Sequence, residues 1–168
     1  MPFYFDEKDL GQEVEGLQSV LIVPCRFCPA ASAAVRSEEP YIQFTRHFLK
    51  TDAYERLIAK TKSDLEKQGI RTDVFHSHFV HQFVLCMWTA RRRKQLADVA
   101  KSYDALVVLG CEAAVDTVRA AVDSSTCQVI QGVKTEGLMS IQPRFSLTGT
   151  VRLELQGISP TTFPEQRA

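Results

Sequence analysis

The sequence predicts a single α/β domain, with three layers around a mostly parallel, Rossmann-like or flavodoxin-like sheet and an antiparallel β-hairpin extension at its C-terminal end. Short apolar runs such as Val20–Val23 and Ala105–Gly110 alternate along the chain with segments of helical periodicity. This alternation favours right-handed βαβ crossovers, and continuous apolar runs are typical of strands buried on both faces. Residues 139–155 instead alternate apolar and polar positions, which indicates antiparallel strands.

The first strand is the most sharply delimited element in the N-terminal part of the chain. Residues 1–17 are acidic and precede it, and we interpret them as an N-terminal arm. Val20–Val23 are apolar and mostly β-branched, and Pro24 ends the run. An alanine-rich segment follows Cys28 and predicts a helix, which Pro40 limits because proline does not continue a helix.

The middle of the chain predicts two helices with a strand between them. Asp52 and Glu55 have the spacing of a capping box, and apolar residues recur behind them at helical intervals as far as Gly69, a suitable C-terminal cap. Residues 71–75 predict a short strand. The next helix is expected over residues 89–102.

All these elements fit one domain of 168 residues, of which 45% are hydrophobic. We divide it into the arm, an α/β core over 18–133, a β extension over 134–158 and a tail over 159–168. The core ends with the apolar strand Ala105–Gly110, a helix and one more strand that begins at Cys127.

Composition excludes several classes of protein. Lys plus Arg and Asp plus Glu number 20 each, so the overall charge does not indicate binding to nucleic acid or to a membrane surface. The acidic N-terminus lacks the features of a secretory signal, and no apolar run reaches the roughly 20 residues that a membrane span needs. We therefore expect a cytoplasmic protein, in which cysteines bind metal or act chemically rather than form disulfides.

Four of the five cysteines lie at the ends of predicted strands. Cys25 and Cys28 form a Cys-x-x-Cys pair after the first strand, Cys86 ends the sequence FVLC, and Cys111 ends VVLGC. Ligands of open α/β sheets bind at the carboxyl ends of the strands, so we expect these four thiols at one edge. Cys127 opens a strand instead, and we interpret it as structural. The alternative for all of them is burial as small apolar residues.

Four thiolates that meet at one point suit soft metal ions. The predicted ligands are Cys25, Cys28, Cys86 and Cys111, and the predicted cofactor is a [4Fe-4S] cluster, with zinc as the alternative. A second possibility is a redox dithiol, because the Cys-x-x-Cys pair precedes a helix whose dipole would lower a thiol pKa. The protein would then be a thiol oxidoreductase or a sulfur carrier. The two residues between the cysteines, Arg26 and Phe27, do not have the aromatic and Gly-Pro context of the thioredoxin pair.

A run of cations opens the helix that follows Cys86. Arg91, Arg92 and Arg93 are followed by Lys94 and lie in the first helical turn, where the helix dipole disfavours positive charge. Helix stability does not explain them, so we predict that the arginines bind an anion. That anion is the metal–thiolate cluster, an acidic partner surface or a phosphorylated ligand, and a solvated polar face is the alternative.

Two further patterns bear on function. His76, His78 and His81 crowd into six residues and leave open a second metal site, although no acidic side chain lies among them to orient the rings. Packing or exposed histidines are the simpler interpretation. The glycine-rich sequences GxGxxG and GxxxxGK[ST] are both missing, which argues against a conventional nucleotide site.

Three sequence segments together resemble a known family. They are VLIVPCRFC, then LCMW with the helix behind it, then SYDALVVLGCEAAVDTV. They are similar to the cysteine-rich C-terminal domain of methylene-tetrahydrofolate reductase, which occurs in anaerobes as a small partner subunit of that enzyme. Cys25, Cys28, Cys86 and Cys111 match the cysteine positions of the family one by one, and Trp88 matches an aromatic position.

The resemblance spans residues 19–122 and implies iron–sulfur or zinc binding in a subunit that assists a folate or methyl-transfer complex. It does not imply that this chain catalyses a reduction alone. Ser32 stands where some relatives have a further cysteine, and this chain has an antiparallel ending in place of their cysteine-rich tail. At most one metal centre of the family is therefore expected here. The oligomeric state is not determined by the sequence.

Overall fold

The computed structural model describes residues 2–44, 50–76 and 84–160, which form a mixed α/β fold with one parallel and one antiparallel sheet. The strands are β1 (Phe3–Glu7), β2 (Ser19–Pro24), β3 (Ile42–Gln43), β4 (Arg71–Val74), β5 (Ala105–Leu109), β6 (Gln128–Gln131), β7 (Val133–Phe145) and β8 (Thr150–Pro160). The α-helices are α1 (Cys28–Arg36), α2 (Asp52–Lys67), α3 (Ala90–Ala100) and α4 (Glu112–Arg119), and a short 3-10 helix covers Leu85–Met87. The predicted α/β class is confirmed.

The parallel sheet has the strand order β4-β2-β5-β6, and every neighbouring pair in it is parallel. The two central strands, β2 and β5, are the ones that the continuous apolar runs predicted. All five residues of β5 are buried, as are five of the six in β2. Residues buried on both faces of a sheet remove the most apolar surface from water, so these strands form the centre of the core.

The sequence predicted the C-terminal cap of α2 correctly and its N-terminal cap incorrectly. Gly69 follows the helix with a φ of +83°, the left-handed conformation that glycine adopts easily, as predicted. The capping box of Asp52 and Glu55 is wrong, because Thr51 occupies the N-cap position. The Thr51 hydroxyl makes no capping bond and instead donates to the Tyr41 carbonyl at 2.6 Å.

The antiparallel sheet has the order β1-β7-β8-β3 and is larger than the predicted hairpin. The N-terminal arm contributes a strand to it, since β1 pairs with the first part of β7. β8 continues to Pro160, two residues past the predicted end of the extension at 158. Residues 161–168 of the predicted tail lie outside the described residues.

The two sheets join at Gly132, between β6 and β7. A Cβ atom at this position would lie 2.6 Å from a methyl carbon of Val107 and 2.7 Å from one of Leu109. Only glycine lets the backbone pass so close to β5 without displacing it.

Within the described residues, no helix combines the length and apolarity needed to cross a bilayer.

Candidate metal centre

The carboxyl ends of β2 and β5 place two of the predicted ligands. Cys25 directly follows β2, and its amide donates to the Leu109 carbonyl at the end of β5 at 3.0 Å. Cys111 follows β5 after Gly110 and is the N-cap residue of α4. Cys28 is the first residue of α1. Three of the thiols are therefore attached to neighbouring strand-to-helix junctions.

Gly110 allows these junctions to approach each other. A Cβ atom on Gly110 would lie 2.7 Å from the Cβ of Ala114 and 3.3 Å from the Cβ of Cys25. A contact of 2.7 Å forces a neighbouring atom to move, so a side chain here would push α4 or the Cys25 loop away. The glycine of VVLGC thus keeps Cys111 beside Cys25.

Cys86 reaches the same edge from the 3-10 helix. Its own side chain is exposed, while its neighbour Leu85 is completely buried and anchors the segment in the core. Trp88 is also buried, and its ring lies 5.6 Å from that of Phe75. The Leu85 amide faces the Cys25 thiol. These contacts bring the Cys86 segment next to Cys25.

The four thiols form one electrostatic cluster. Cys25 interacts with Cys28 and Cys111, Cys28 interacts with Cys111 and Cys86, and Cys111 interacts with Cys86. After burial, the negative charge of neighbouring thiolates is a further cause of the raised pKa values of Cys25, Cys28 and Cys111. The edge therefore resists holding several thiolates unless a cation is present.

Burial reinforces this resistance. It is the largest cause of the raised pKa values of Cys25, Cys28 and Cys111, and it raises the pKa of Cys25 to about 12. Backbone amides oppose it: Phe3 on β1 faces the Cys28 thiol, and Ala113 and Ala114 face Cys111 without completing a capping hydrogen bond. Cys25, Cys28 and Cys111 are therefore protonated at neutral pH.

The donor set fits a soft metal in type, since thiols are the ligands that such metals prefer and metal binding would remove their protons. As the side chains stand, no three of the described His, Cys, Asp or Glu residues are placed to hold one ion. Binding would therefore require the thiols to turn toward a common point. Three of them lie on rigid strand-to-helix junctions, and the exposed Cys86 is the one with the most room to move.

Sequence reasoning missed the side chains that support this edge. Tyr54 on α2 is fully buried, and its hydroxyl donates to the Leu109 carbonyl at 3.1 Å. Arg26, inside the Cys-x-x-Cys pair, is buried and forms an ion pair with Glu55 on α2. Tyr41 lies near the cluster, and burial raises the pKa of its hydroxyl to about 12. The apolar stripe of α2 marked Tyr54 only as a core residue.

Ser32, the position at which some relatives of the resembled family have a cysteine, has a structural role. Its hydroxyl accepts from the Phe5 amide at 2.9 Å and faces the Phe5 carbonyl at 3.2 Å. Arg36 donates to the same carbonyl at 2.8 Å. These hydrogen bonds hold α1, which begins at Cys28, against β1. Because Phe3 lies on the same strand, its amide is close to the thiol cluster.

The three arginines of the cationic run have different environments. Arg91 is exposed. Arg92 is buried, with its guanidinium carbon 4.2 Å from the centre of the Phe75 ring and 5.3 Å from that of Trp88, and it also donates to the His76 carbonyl. Arg93 donates to the Trp88 carbonyl at 3.3 Å.

Two of these arginines therefore hold the segment that carries Cys86. Cation–π contacts and hydrogen bonds explain the position of Arg92 without an anion. Anion binding by Arg91, Arg92 and Arg93 stays a prediction. Of the three histidines, only His76 belongs to the described residues, and residues 77–83 with His78 and His81 lie outside them.

Cys127 lies at the other end of the sheet. It directly precedes β6, and its charge interaction is with Asp104, which directly precedes β5. Burial raises the pKa of Cys127 as well. The structure thus separates this thiol from the other four.

No family model, curated protein or solved structure was found to match this chain.

Proposed function

We propose that Cys25, Cys28, Cys86 and Cys111 bind a single metal centre, either a [4Fe-4S] cluster or zinc. The observation that carries this proposal is the electrostatic cluster of four thiols at one edge of the parallel sheet. A thiophilic cation would displace the protons of the thiols and compensate the negative charge of the thiolates that result.

The proposed fold behind this site is a flavodoxin-like, three-layer core. If the parallel strands β2, β4, β5 and β6 are renumbered 1 to 4 along the chain, their order across the sheet is 2-1-3-4. This order matches that of flavodoxin-like folds. In that arrangement the switch point lies between the first and third of these strands, here β2 and β5. Cys25 and Cys111 follow those two strands, so the candidate centre occupies the position at which such folds bind ligands.

We further propose that the protein is an accessory or electron-transfer subunit of a cytoplasmic complex in folate-linked, methyl-transfer metabolism of an anaerobe. Two features support this role: the cysteine pattern resembles the domain found in methylene-tetrahydrofolate reductase, and the exposed Cys86 would bring the centre close to a docked partner. The exposed Arg91 is the proposed contact to an acidic partner.

The competing function is a thiol oxidoreductase or sulfur carrier that uses Cys25 or Cys28. Such an enzyme needs an accessible thiolate at neutral pH. Here Cys25 is buried with a pKa of about 12, and burial also raises the pKa of Cys28. These properties favour the metal centre over the dithiol enzyme.

Metal analysis of the full chain, purified without oxygen, separates the two functions. We expect about one centre per chain in the wild type, and loss of most of the metal in Cys25→Ser, Cys28→Ser, Cys86→Ser and Cys111→Ser alike, because each removes a ligand. Cys127→Ser is the matched control and should retain the metal. Equal metal content in all five variants would contradict the proposal, and thiol-transfer activity lost only with Cys25 or Cys28 would support the dithiol enzyme.

A further inference from the structure

The thiol edge carries two large apolar side chains that are open to solvent. Phe27 is 48% exposed and directly precedes Cys28. Met87 is 74% exposed and directly follows Cys86, which is exposed as well. Single exposed apolar residues are common on protein surfaces and carry little information. These two differ because each adjoins one of the proposed metal ligands.

Backbone contacts bring the two apolar side chains to the same part of the molecule. The amides of Phe27 and Leu85 both face the Cys25 thiol, so the loop between the first two cysteines meets the 3-10 helix at this sulfur. Met87 is the last residue of that short helix, and the completely buried Leu85 is its first. Phe27 and Met87 therefore border one thiol cluster from two separate segments of the chain.

Cations lie next to this apolar pair. Arg91 and Lys94 are exposed at the start of α3, which begins three residues after Met87 and has no acidic residue in its first turn. Within the described part of the chain neither forms an ion pair, whereas Lys67 and Lys101, near the C-terminal ends of α2 and α3, each pair with an aspartate. Because the helix dipole disfavours cations at this end, a negative charge from outside the chain would stabilise them.

We propose that a protein with an acidic surface docks over the thiol edge, against Phe27 and Met87 and with its carboxylates opposite Arg91 and Lys94. The partner belongs to the complex in which we place this chain as an accessory subunit, so the docking face rests on the proposed function. Phenylalanine, methionine and arginine are enriched in protein interfaces, and complementary charges orient the partners. A second copy fits less well, because a two-fold interface here would bring these cations close to their own equivalents.

Photo-crosslinking of the full chain, in the cells that carry its gene, tests this face. With p-benzoylphenylalanine in place of Met87, we expect a covalent adduct with one other protein. Mass spectrometry should place the link on an apolar surface that aspartate and glutamate surround. The same photoreactive residue in place of Val99, which is 40% exposed in the last turn of α3, is the matched control and should give little adduct.

Charge reversal tests the chemistry of the partner. Arg91→Glu with Lys94→Glu should lower the adduct yield at Met87 at least about tenfold, because like charges then oppose the acidic surface. Lys67→Glu with Lys101→Glu changes the net charge equally at exposed positions near the amino end of the sheet, and should leave the yield unchanged. Phe27→Ser should also lower the yield, since it removes one of the two apolar contacts.

No adduct at Met87, equal yields at Met87 and Val99, or a yield that Arg91→Glu with Lys94→Glu leaves intact would overturn the proposal. An adduct with a second copy of the chain, or with a basic surface, would also overturn it. Metal analysis of the same preparations tests the metal centre separately, because these variants retain all four cysteines. A chain that captures an acidic protein but holds no metal would contradict the proposed centre and leave the docking face in place.

Discussion

The two ends of the parallel sheet use their polar side chains differently. At the amino end, the Asp104 carboxylate accepts hydrogen bonds from the amides of Gln18 and Ser19 and from the Ser19 hydroxyl, at 2.8 to 2.9 Å. These bonds join β2 to β5 and satisfy the carboxylate. At the carboxyl end the strands meet four thiols, and burial raises the pKa of three of them, Cys25, Cys28 and Cys111. The amino end is complete within the protein, and the carboxyl end is where the proposed metal centre would lie.

This difference indicates how stability and function are divided. The amino end binds the strands together through local hydrogen bonds, whereas the carboxyl end brings together thiols whose ionisation is opposed by burial and by their neighbours. Changes at the carboxyl end should therefore affect both packing and the proposed metal binding, and changes at the amino end should affect stability alone.

Gly110→Ala should have the largest effect on stability. The added methyl group would lie 2.7 Å from the Cβ of Ala114, so α4 or the Cys25 loop must shift, at a cost of about 1 to 3 kcal/mol. Urea unfolding at pH 7 measures this loss. Gly157→Ala is the matched control, because a Cβ there has no atom within 4 Å, and equal losses in the two variants would show that the close approach at Gly110 is unimportant.

Tyr54→Phe should have an intermediate effect. It removes the hydroxyl that donates to the Leu109 carbonyl at the buried end, and we expect a loss of about 1 kcal/mol in the free energy of unfolding. Tyr103→Phe removes an exposed bond to Asp73 of 2.9 Å and should cost less than half as much. Equal losses in the two variants would contradict the expectation that the buried tyrosine hydrogen bond contributes more to the free energy of unfolding than the exposed one.

Asp104→Asn should have the smallest effect, and one that depends on pH. The Gln18 amide, followed by the hydroxyl and amide of Ser19, lowers the carboxyl pKa in the folded protein. The stabilisation is therefore present above the unfolded pKa of about 3.9 and is lost as the pH falls through the lower folded pKa. Wild type should lose stability more steeply than the variant below about pH 4, and parallel urea midpoints from pH 7 to acid would contradict this.

The sequence predicted the central part of the fold because its signals are local. β2 and β5 are continuous apolar runs, and Gly69 marks the end of α2 within a single turn. The placement of Cys25 and Cys111 at strand ends follows from the same local pattern. A parallel sheet then brings these ends to one edge without any further information.

The remaining features depend on contacts between distant parts of the chain. The pairing of β1 with β7 joins residues more than a hundred positions apart, and nothing in the acidic composition of the arm indicates a strand. The positions of Arg92 over Phe75 and Trp88, and of Tyr54 at the Leu109 carbonyl, likewise arise only when separate elements pack. Periodicity identifies such residues as buried but does not identify their partners.

X-ray absorption at the metal edge of the loaded full chain tests the central claim most directly. It counts the sulfur atoms around the metal, whichever of the two metals is bound. We predict four sulfur neighbours per zinc at about 2.3 Å, or the sulfur and iron shells of a [4Fe-4S] cluster. In Cys86→Ser, any zinc that remains bound should have three sulfur neighbours. A wild-type shell of nitrogen and oxygen, or one with two sulfur atoms or fewer, would contradict a centre built from Cys25, Cys28, Cys86 and Cys111.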